Sequence, residues 1–121
     1  MPILTRTSEQ PDLPRRGAVW SLTGHERELD ANLIRLPAGD EIPAHLGAEV
    51  DTLIHVVRGS GTLVTDDGEE ELAPGDLALL PRRTRRGFRA GADGLEYLTV
   101  HRRRQALRIG RREDLPAPGA D

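Results

Sequence analysis

Residues 37–61 read PAGDEIPAHLGAEVDTLIHVVRGSG, a glycine- and proline-rich stretch that leads into a segment of alternating side chains. In an extended strand successive side chains point to opposite faces, so Thr52, Ile54 and Val56 share one face. The other face carries Leu53, His55 and Val57. Both faces are mostly apolar, which is typical of a strand covered on two sides. The segment 52–58 is therefore predicted to be an interior strand.

Other short apolar runs flank this segment and are separated by glycine, proline and aspartate. They predict strands over residues 18–22, 29–36, 77–80 and 95–101. Residues 61–72 predict a hairpin, because Asp66-Asp67-Gly68 supplies the positive φ angles of a tight turn. No stretch shows a sustained helical period. We therefore expect an all-β sandwich or barrel.

The composition of the chain excludes several classes of function. A chain of 121 residues and 13.3 kDa fits one domain. The absence of cysteine excludes disulfides, thiolate zinc sites and cysteine nucleophiles. With no long apolar run or signal-like apolar start, a soluble cytoplasmic protein without a membrane partner is expected. All 17 basic residues are arginine, yet the net charge is -3 and only three residues are aromatic, which disfavours a nucleic-acid partner.

The chain divides into three parts by composition. Residues 1–16 hold Pro2, Pro11 and Pro14 and predict a loose N-terminal arm, in which only the run 3–7 is able to form a strand. Residues 17–109 carry the predicted strands and form the barrel. Residues 110–121 are polar and proline-rich, and a flexible C-terminal tail is predicted there.

Five glycine, histidine and proline positions fall on a known spacing. Gly39, His45 and Gly59 match the pattern Gly, five residues, His-x-His, three or four residues, Glu, six residues, Gly. Gly75 and Pro81 match the start of Gly, five residues, Pro, x, Gly, two residues, His. In these features the chain resembles a cupin. The resemblance implies a cupin-type double-stranded β-helix, a single-domain jelly-roll barrel, and a homodimer.

Cupins generally hold a divalent metal through two His and a Glu of the first motif and a His of the second. Here His45 remains, whereas Gly47, Thr52 and Arg86 stand at the other three positions. An arginine cannot deprotonate and so cannot ligate a metal. We therefore expect no cofactor, with the charge of Arg86 replacing the ion. An exposed loop at 82–89, with Arg86 on the surface, is the alternative.

An inward Arg86 needs an acceptor, since an unpaired buried charge costs several kcal/mol. Glu49 or Asp51 is the internal candidate, and a ligand carboxylate or phosphate is the external one. The barrel is thus expected to bind a small molecule, with an anionic one favoured. Its predicted pocket is lined by His45, Thr52, Ile54, Val56, Arg86 and Tyr97.

Two other functions stay open. The first is a metal-dependent isomerase or dioxygenase that binds Fe, Mn, Ni or Zn through His45 and partners outside the family pattern, drawn from Glu49, Asp51, His55 and His101. Strand parity argues against His55, because it alternates with Ile54 and Val56. His101 shares a face with Tyr97, and either face of that strand is able to line the interior. The second is a non-catalytic interaction protein.

Overall fold

The computed structural model of the chain describes residues 2–24 and 26–103. These residues form seven antiparallel strands and no helix, which confirms the all-β prediction. The strands are β1 (Gly17–Ser21), β2 (Leu29–Leu36), β3 (Glu41–Leu46), β4 (Thr52–Thr65), β5 (Gly68–Leu72), β6 (Leu77–Leu80) and β7 (Arg85–Arg102). Within the described ranges no helix is long and apolar enough to cross a membrane. The predicted tail and residues 104–109 of the predicted barrel lie outside the described residues.

The two longest strands, β4 and β7, pair along most of their length and divide the sheet into two halves. The first half of β4 pairs with β6 and with the second half of β7, which in turn pairs with β2 and, through it, β1. The second half of β4 pairs with β5 and with the first half of β7, which in turn pairs with β3. Two layers that share their long strands are the arrangement of a jelly roll.

Glycine at two positions lets β4 and β7 bend where one half passes into the other. The register between the strands shifts between Val56 and Arg58 and again between Gly59 and Gly61. Gly59 and Gly94 both have φ of 79°, a region that side-chain-bearing residues rarely adopt. A Cβ on Gly59 would lie 2.1 Å from the carbonyl oxygen of Gly94. The bend therefore depends on glycine for its backbone angle and for its close approach.

Two strand segments were not predicted. Strand β3 contains Pro43, which is tolerated there because β3 pairs on one side with β7 and is an edge strand. The first half of β7 is rich in arginine and glycine, and its local pattern favours a loop. The alternative of an exposed loop at 82–89 is wrong from Arg85 onward, because Arg86 is 1% exposed within the strand.

The N-terminal arm lies against the sheet without forming a strand, and two arginines hold its backbone. Arg35 Nη1 donates to the carbonyl oxygens of Asp12 and Pro14, both at 3.0 Å. Arg58 Nη2 donates to the carbonyl of Thr7. The Glu96 carboxylate holds both guanidinium groups in place, because it accepts hydrogen bonds from Arg35 Nε at 2.6 Å and from Arg58 Nε at 3.0 Å. One buried carboxylate thus orients both cations that hold the arm.

The apolar core fills the side of the barrel formed by β4, β5, β6 and part of β7. Its buried members include Leu36, Ile54, Val56, Leu63, Leu72, Leu80, Phe88, Ala90, Leu95 and Tyr97. The Phe88 and Tyr97 rings stack with centroids 4.4 Å apart. Because this aromatic pair joins the two sheet halves, it forms the boundary between the packed core and the open part of the barrel.

Candidate functional site

An open cavity of about 410 Å³ lies beside the aromatic pair, between the β1–β2 side of the barrel and β3. This volume is within the range typical of small-molecule pockets. Apolar side chains form one part of the lining, and polar groups form the remainder. The lining residues are Arg16, Gly17, Ala18, Asp30, Asn32, Ile34, Leu36, Ile42, His45, Phe88, Tyr97, Thr99 and His101.

Strand register decides which histidines face this cavity. Thr52, Ile54 and Val56 lie opposite His101, Thr99 and Tyr97. Directly opposed residues project to the same face of a sheet. His101 therefore faces inward, which resolves the open question about its strand. His55 lies opposite Leu98, is exposed, and points away from the cavity.

The predicted ligand-binding residues are divided between cavity and core. His45 and Tyr97 line the cavity, whereas Arg86, which was also predicted to line it, is buried and does not. Thr52, Ile54 and Val56 also point inward, but all three are fully buried and none lines the cavity. They lie on the filled side of the barrel, where Ile54 and Val56 are part of the apolar core.

Arg86 points into the barrel and packs directly against Gly47. It lies opposite His45 in the β3–β7 pair, on the same face. A Cβ built on Gly47 would lie 1.8 Å from Arg86 Nη1 and 2.2 Å from Arg86 Cζ. Arg86 Nη1 also donates to the carbonyl of Thr84 at 3.4 Å. The guanidinium therefore occupies the space that a side chain at position 47 would enter.

The two inward histidines have the same hydrogen-bonding pattern. His45 Nδ1 lies 3.0 Å from the carbonyl oxygen of Pro43, and His101 Nδ1 lies 3.0 Å from that of Arg102. A carbonyl oxygen can only accept, so in the neutral ring each Nδ1 carries the proton. The lone pair of each imidazole is then on Nε2.

Sequence reasoning missed the other cavity residues, among them Asp30, Asn32 and Phe88. The signal was present in β2, where Asp30, Asn32 and Ile34 alternate with Ala31, Leu33 and Arg35. A strand face that changes from polar to apolar along its length is typical of a pocket wall. Its inward direction became clear only from the pairing of β2 with β7.

An ion pair between Arg16 and Asp40 lies at the rim of the cavity. Arg16 lines the cavity and binds the Asp40 carboxylate through Nε, while its Nη2 donates to the carbonyl of Glu41 at 3.2 Å. The hydrogen bond from Arg16, helped by the backbone amide of Glu41, lowers the pKa of Asp40 below its usual 3.8. The rim therefore keeps this pair charged at neutral pH.

The residues at the motif positions do not fit a metal centre. Gly47 and Thr52 offer neither imidazole nor carboxylate, and the Arg86 guanidinium fills the space beside Gly47. Glu49 Oε1 lies 3.7 Å from Arg83 Nε, and Asp51 Oδ1 accepts a hydrogen bond from the Arg82 backbone amide at 2.9 Å. Across residues 2–24 and 26–103, no three His, Cys, Asp or Glu side chains come together in a group able to hold an ion.

Comparisons with solved structures place this geometry among known folds. A cupin domain of Schizosaccharomyces pombe is 16% identical, with a TM-score of 0.62 over 70% of this chain and 63% of that one. A sugar phosphate isomerase from a cupin superfamily, from Silicibacter pomeroyi, is 28% identical with a TM-score of 0.59, over 64% of this chain and 52% of that one. The DMSP lyase DddQ of Ruegeria pomeroyi is 18% identical with a TM-score of 0.66, over 86% of this chain and 57% of that one.

This chain thus spans between about half and two thirds of the length of these three structures. A search of curated protein sequences gave no match. The family profile of the Cupin domain matches residues 32–101, which is more than half of the chain. The match includes β3, β4 and both halves of β7, the strands that carry His45, Thr52 and Arg86, and it also includes Gly47 directly after β3. The chain belongs to the cupin superfamily.

Proposed function

We propose that this cupin binds a small carboxylate- or phosphate-bearing molecule in the cavity beside His45, without a metal. The observation that carries the proposal is the buried guanidinium of Arg86 packed on Gly47, at two positions where cupin motifs place histidine ligands. Arg86 does not line the cavity itself but lies opposite the lining residue His45 in the β3–β7 pair. From there its permanent positive charge attracts an anion much as a bound cation would.

The cavity suits an amphipathic anion. Its apolar wall includes Ile34, Ile42 and the stacked Phe88 and Tyr97, and its polar wall includes Asn32 and His101. A small organic molecule would place its carbon skeleton on the first wall and its hydroxyl or carbonyl groups on the second. The sugar phosphate isomerase at 28% identity supports phosphorylated sugars as one ligand class to test.

The proposal predicts thermal stabilisation by anions that depends on Arg86. Protein purified without an affinity tag is expected to contain no stoichiometric Fe, Mn, Ni or Zn, and to melt at a higher temperature with sugar phosphates or sugar acids. A ligand at 100 times its dissociation constant stabilises by about 2.7 kcal/mol. Arg86→Gln should lose most of this gain relative to its own unliganded state, and Arg86→Lys, which keeps a positive charge, should lose less of it.

The control is Arg85→Ala, an exposed neighbour on the opposite strand face, which should keep the full ligand effect. Differential scanning fluorimetry and elemental analysis are sufficient measurements. About one equivalent of metal that disappears in His45→Ala would contradict the proposal. Equal stabilisation of wild type and both Arg86 variants would contradict it as well.

We also propose that the protein is a homodimer that buries the outer face of β4 and β6. Leu53, Leu77 and Leu79 are 43%, 67% and 61% exposed on this face, and register places Leu53 opposite Leu79. An apolar face without charged residues at these positions allows two copies to meet without charge repulsion.

Light scattering at micromolar concentration should give twice the chain mass for wild type and the chain mass for Leu79→Glu. Leu46→Glu, a change at a similarly exposed leucine in β3, is the matched control and should remain dimeric. A monomeric wild-type protein would refute the proposed dimer.

A further inference from the structure

A second cavity, of about 380 Å³, lies between the N-terminal arm and the bend of the sheet, and we call it the arm cavity. Its lining includes three arginines and three acidic residues: Asp12, Arg15, Arg35, Arg58, Asp93 and Glu96. Glu96 precedes Tyr97, which faces the barrel cavity, so the Glu96 side chain projects to the outer face of the sheet. Buried Leu36 is the described residue that borders both cavities. The arm cavity is therefore a site distinct from the barrel cavity.

Two guanidinium groups of the arm cavity share one carboxylate. Arg35 of β2 and Arg58 of β4 both lie opposite Glu96 of β7. Glu96 Oε2 accepts from Arg35 Nε at 2.6 Å, and Glu96 Oε1 accepts from Arg58 Nε at 3.0 Å. The two cations are thus held within the span of a single carboxylate. Since one negative charge faces two positive charges, one positive charge remains at this point of the cavity.

Both arginines also keep a terminal nitrogen for a ligand. Arg35 donates through Nε and Nη1, and Arg58 donates through Nε and Nη2, to Glu96 and to carbonyl oxygens of the arm. Among residues 2–24 and 26–103, no acceptor is bound by Arg35 Nη2 or Arg58 Nη1. The arm carbonyls are neutral, so they leave the remaining charge uncompensated. A guanidinium group binds a carboxylate through charge-assisted hydrogen bonds, so a ligand carboxylate suits this pair.

The rim of the arm cavity has the opposite charge. Asp12, Arg15 and Asp93 are exposed there, so two carboxylates stand against one guanidinium. The inner part of the cavity is positive, because Glu96 is 9% exposed and neutralises one of its two arginines. A simple anion would meet repulsion from the rim. A zwitterion, with its carboxylate inside and its ammonium group at the rim, matches both charges.

An aliphatic surface completes the lining of the arm cavity. Pro37, Ala38, Ala92 and Leu95 contribute it. Contact with these side chains would remove a small hydrocarbon group from water, which is favourable. The cavity volume is within the range typical of small-molecule sites. An amino acid with an aliphatic side chain therefore fits the charge order and the apolar lining of this cavity.

We infer that the arm cavity binds a free aliphatic amino acid, with its carboxylate on Arg35 and Arg58 and its ammonium group beside Asp12 and Asp93. This site goes beyond the proposed function, because it uses neither the barrel cavity nor its buried guanidinium. Asp12 belongs to the arm, so a bound amino acid also links the arm to the sheet. Binding to the closed arm therefore stabilises that state by mass action.

Three matched compounds test the charge order. L-leucine carries both charges, 4-methylpentanoate lacks the ammonium group, and 3-methylbutylamine lacks the carboxylate. Isothermal titration calorimetry and saturation-transfer NMR should show that wild-type protein binds L-leucine, and that it binds each of the other two compounds at least about tenfold more weakly, as expected when a hydrogen bond to a charged group is lost. L-leucine should also slow trypsin cleavage after Arg15.

Two variants assign the residues of the site. Arg58→Gln should bind L-leucine about tenfold more weakly or worse. Asp93→Asn, a change at an exposed residue, should weaken L-leucine but not 4-methylpentanoate, and it decides the case even if Arg58→Gln fails to fold. Arg86→Gln is the control and should keep the wild-type affinity for L-leucine.

The result that would overturn the inference is separable from a failure of the proposed function. Absence of L-leucine binding, or equal binding of L-leucine and 4-methylpentanoate, would overturn the amino-acid site. So would unchanged L-leucine affinity in Asp93→Asn. Stabilisation by sugar phosphates that is kept in Arg58→Gln and lost in Arg86→Gln would leave the proposed function standing in each of these cases.

Discussion

Glu96→Gln should lower the free energy of unfolding by about 3 kcal/mol, the low end of the cost of removing one partner from a buried ion pair. Glu96 is 9% exposed and is bound by both Arg35 and Arg58. Loss of the carboxylate leaves two cations facing a neutral amide. The low end applies because the Arg58 side chain is 43% exposed and water compensates part of its charge.

The arm should loosen in the same variant, since Arg35 and Arg58 hold it through the carbonyls of Thr7, Asp12 and Pro14. Urea unfolding measures the stability, and trypsin cleavage after Arg6, Arg15 or Arg16 measures the release of the arm. We expect the urea midpoint to fall and the rate of trypsin cleavage to rise in the same variant.

Glu69→Gln is the matched control. Its pair with Arg89 spans 3.0 Å, but both side chains are about half exposed. The hydrogen bond from Arg89 lowers the pKa of Glu69, so any stabilisation by this pair is present at neutral pH and is lost as the pH falls through that lowered value. Solvent screening makes such exposed pairs weak. Equal urea midpoints for Glu96→Gln and Glu69→Gln would contradict the assigned role of Glu96.

Gly47→Ala should destabilise the protein by about 3 kcal/mol, the upper part of the range for overpacking a filled interior. The new Cβ would lie 1.8 Å from Arg86 Nη1, so the buried guanidinium has to move and lose its present contacts. We expect the anion-dependent rise in melting temperature to be lost in this variant, although Arg86 itself is unchanged.

A double-mutant cycle measures the interaction between position 47 and Arg86 separately from the other effects of each substitution. In an Arg86→Ala background the space beside Gly47 is open, and Gly47→Ala should then cost little. The interaction free energy between the two sites should be about 2–3 kcal/mol, as expected for residues in direct contact. If Gly47→Ala costs the same in both backgrounds, Arg86 does not occupy the space beside position 47.

Much of the fold follows from local sequence. The bounds of β2 and β6 match their predictions, and the hairpin joins β4 to β5 at Asp66 and Asp67. These segments have regular alternation and clear turn residues, so near neighbours in the chain are sufficient to predict them. Strand β3 and the first half of β7 lack that pattern, because Pro43 and a run of arginines favour a loop locally.

The candidate site was predictable only in part. His45 and Tyr97 line the cavity, while Thr52, Ile54, Val56 and Arg86 are buried outside its lining. Their inward direction follows from strand parity. Whether an inward side chain meets core or cavity depends on how the two halves of the sheet close over it, and no local pattern contains that information.

The all-β class, the cupin glycines at 39, 59 and 75, and the replacement of the expected second-motif histidine by Arg86 can be read from the chain without its structure. Three contacts required the folded molecule: Arg86 packs on Gly47, His101 faces the same cavity as His45, and Glu96 fixes the arm. The reason is physical. Strand propensity and turn geometry depend on residues adjacent in the chain, whereas these three contacts depend on the register between strands that are distant in sequence.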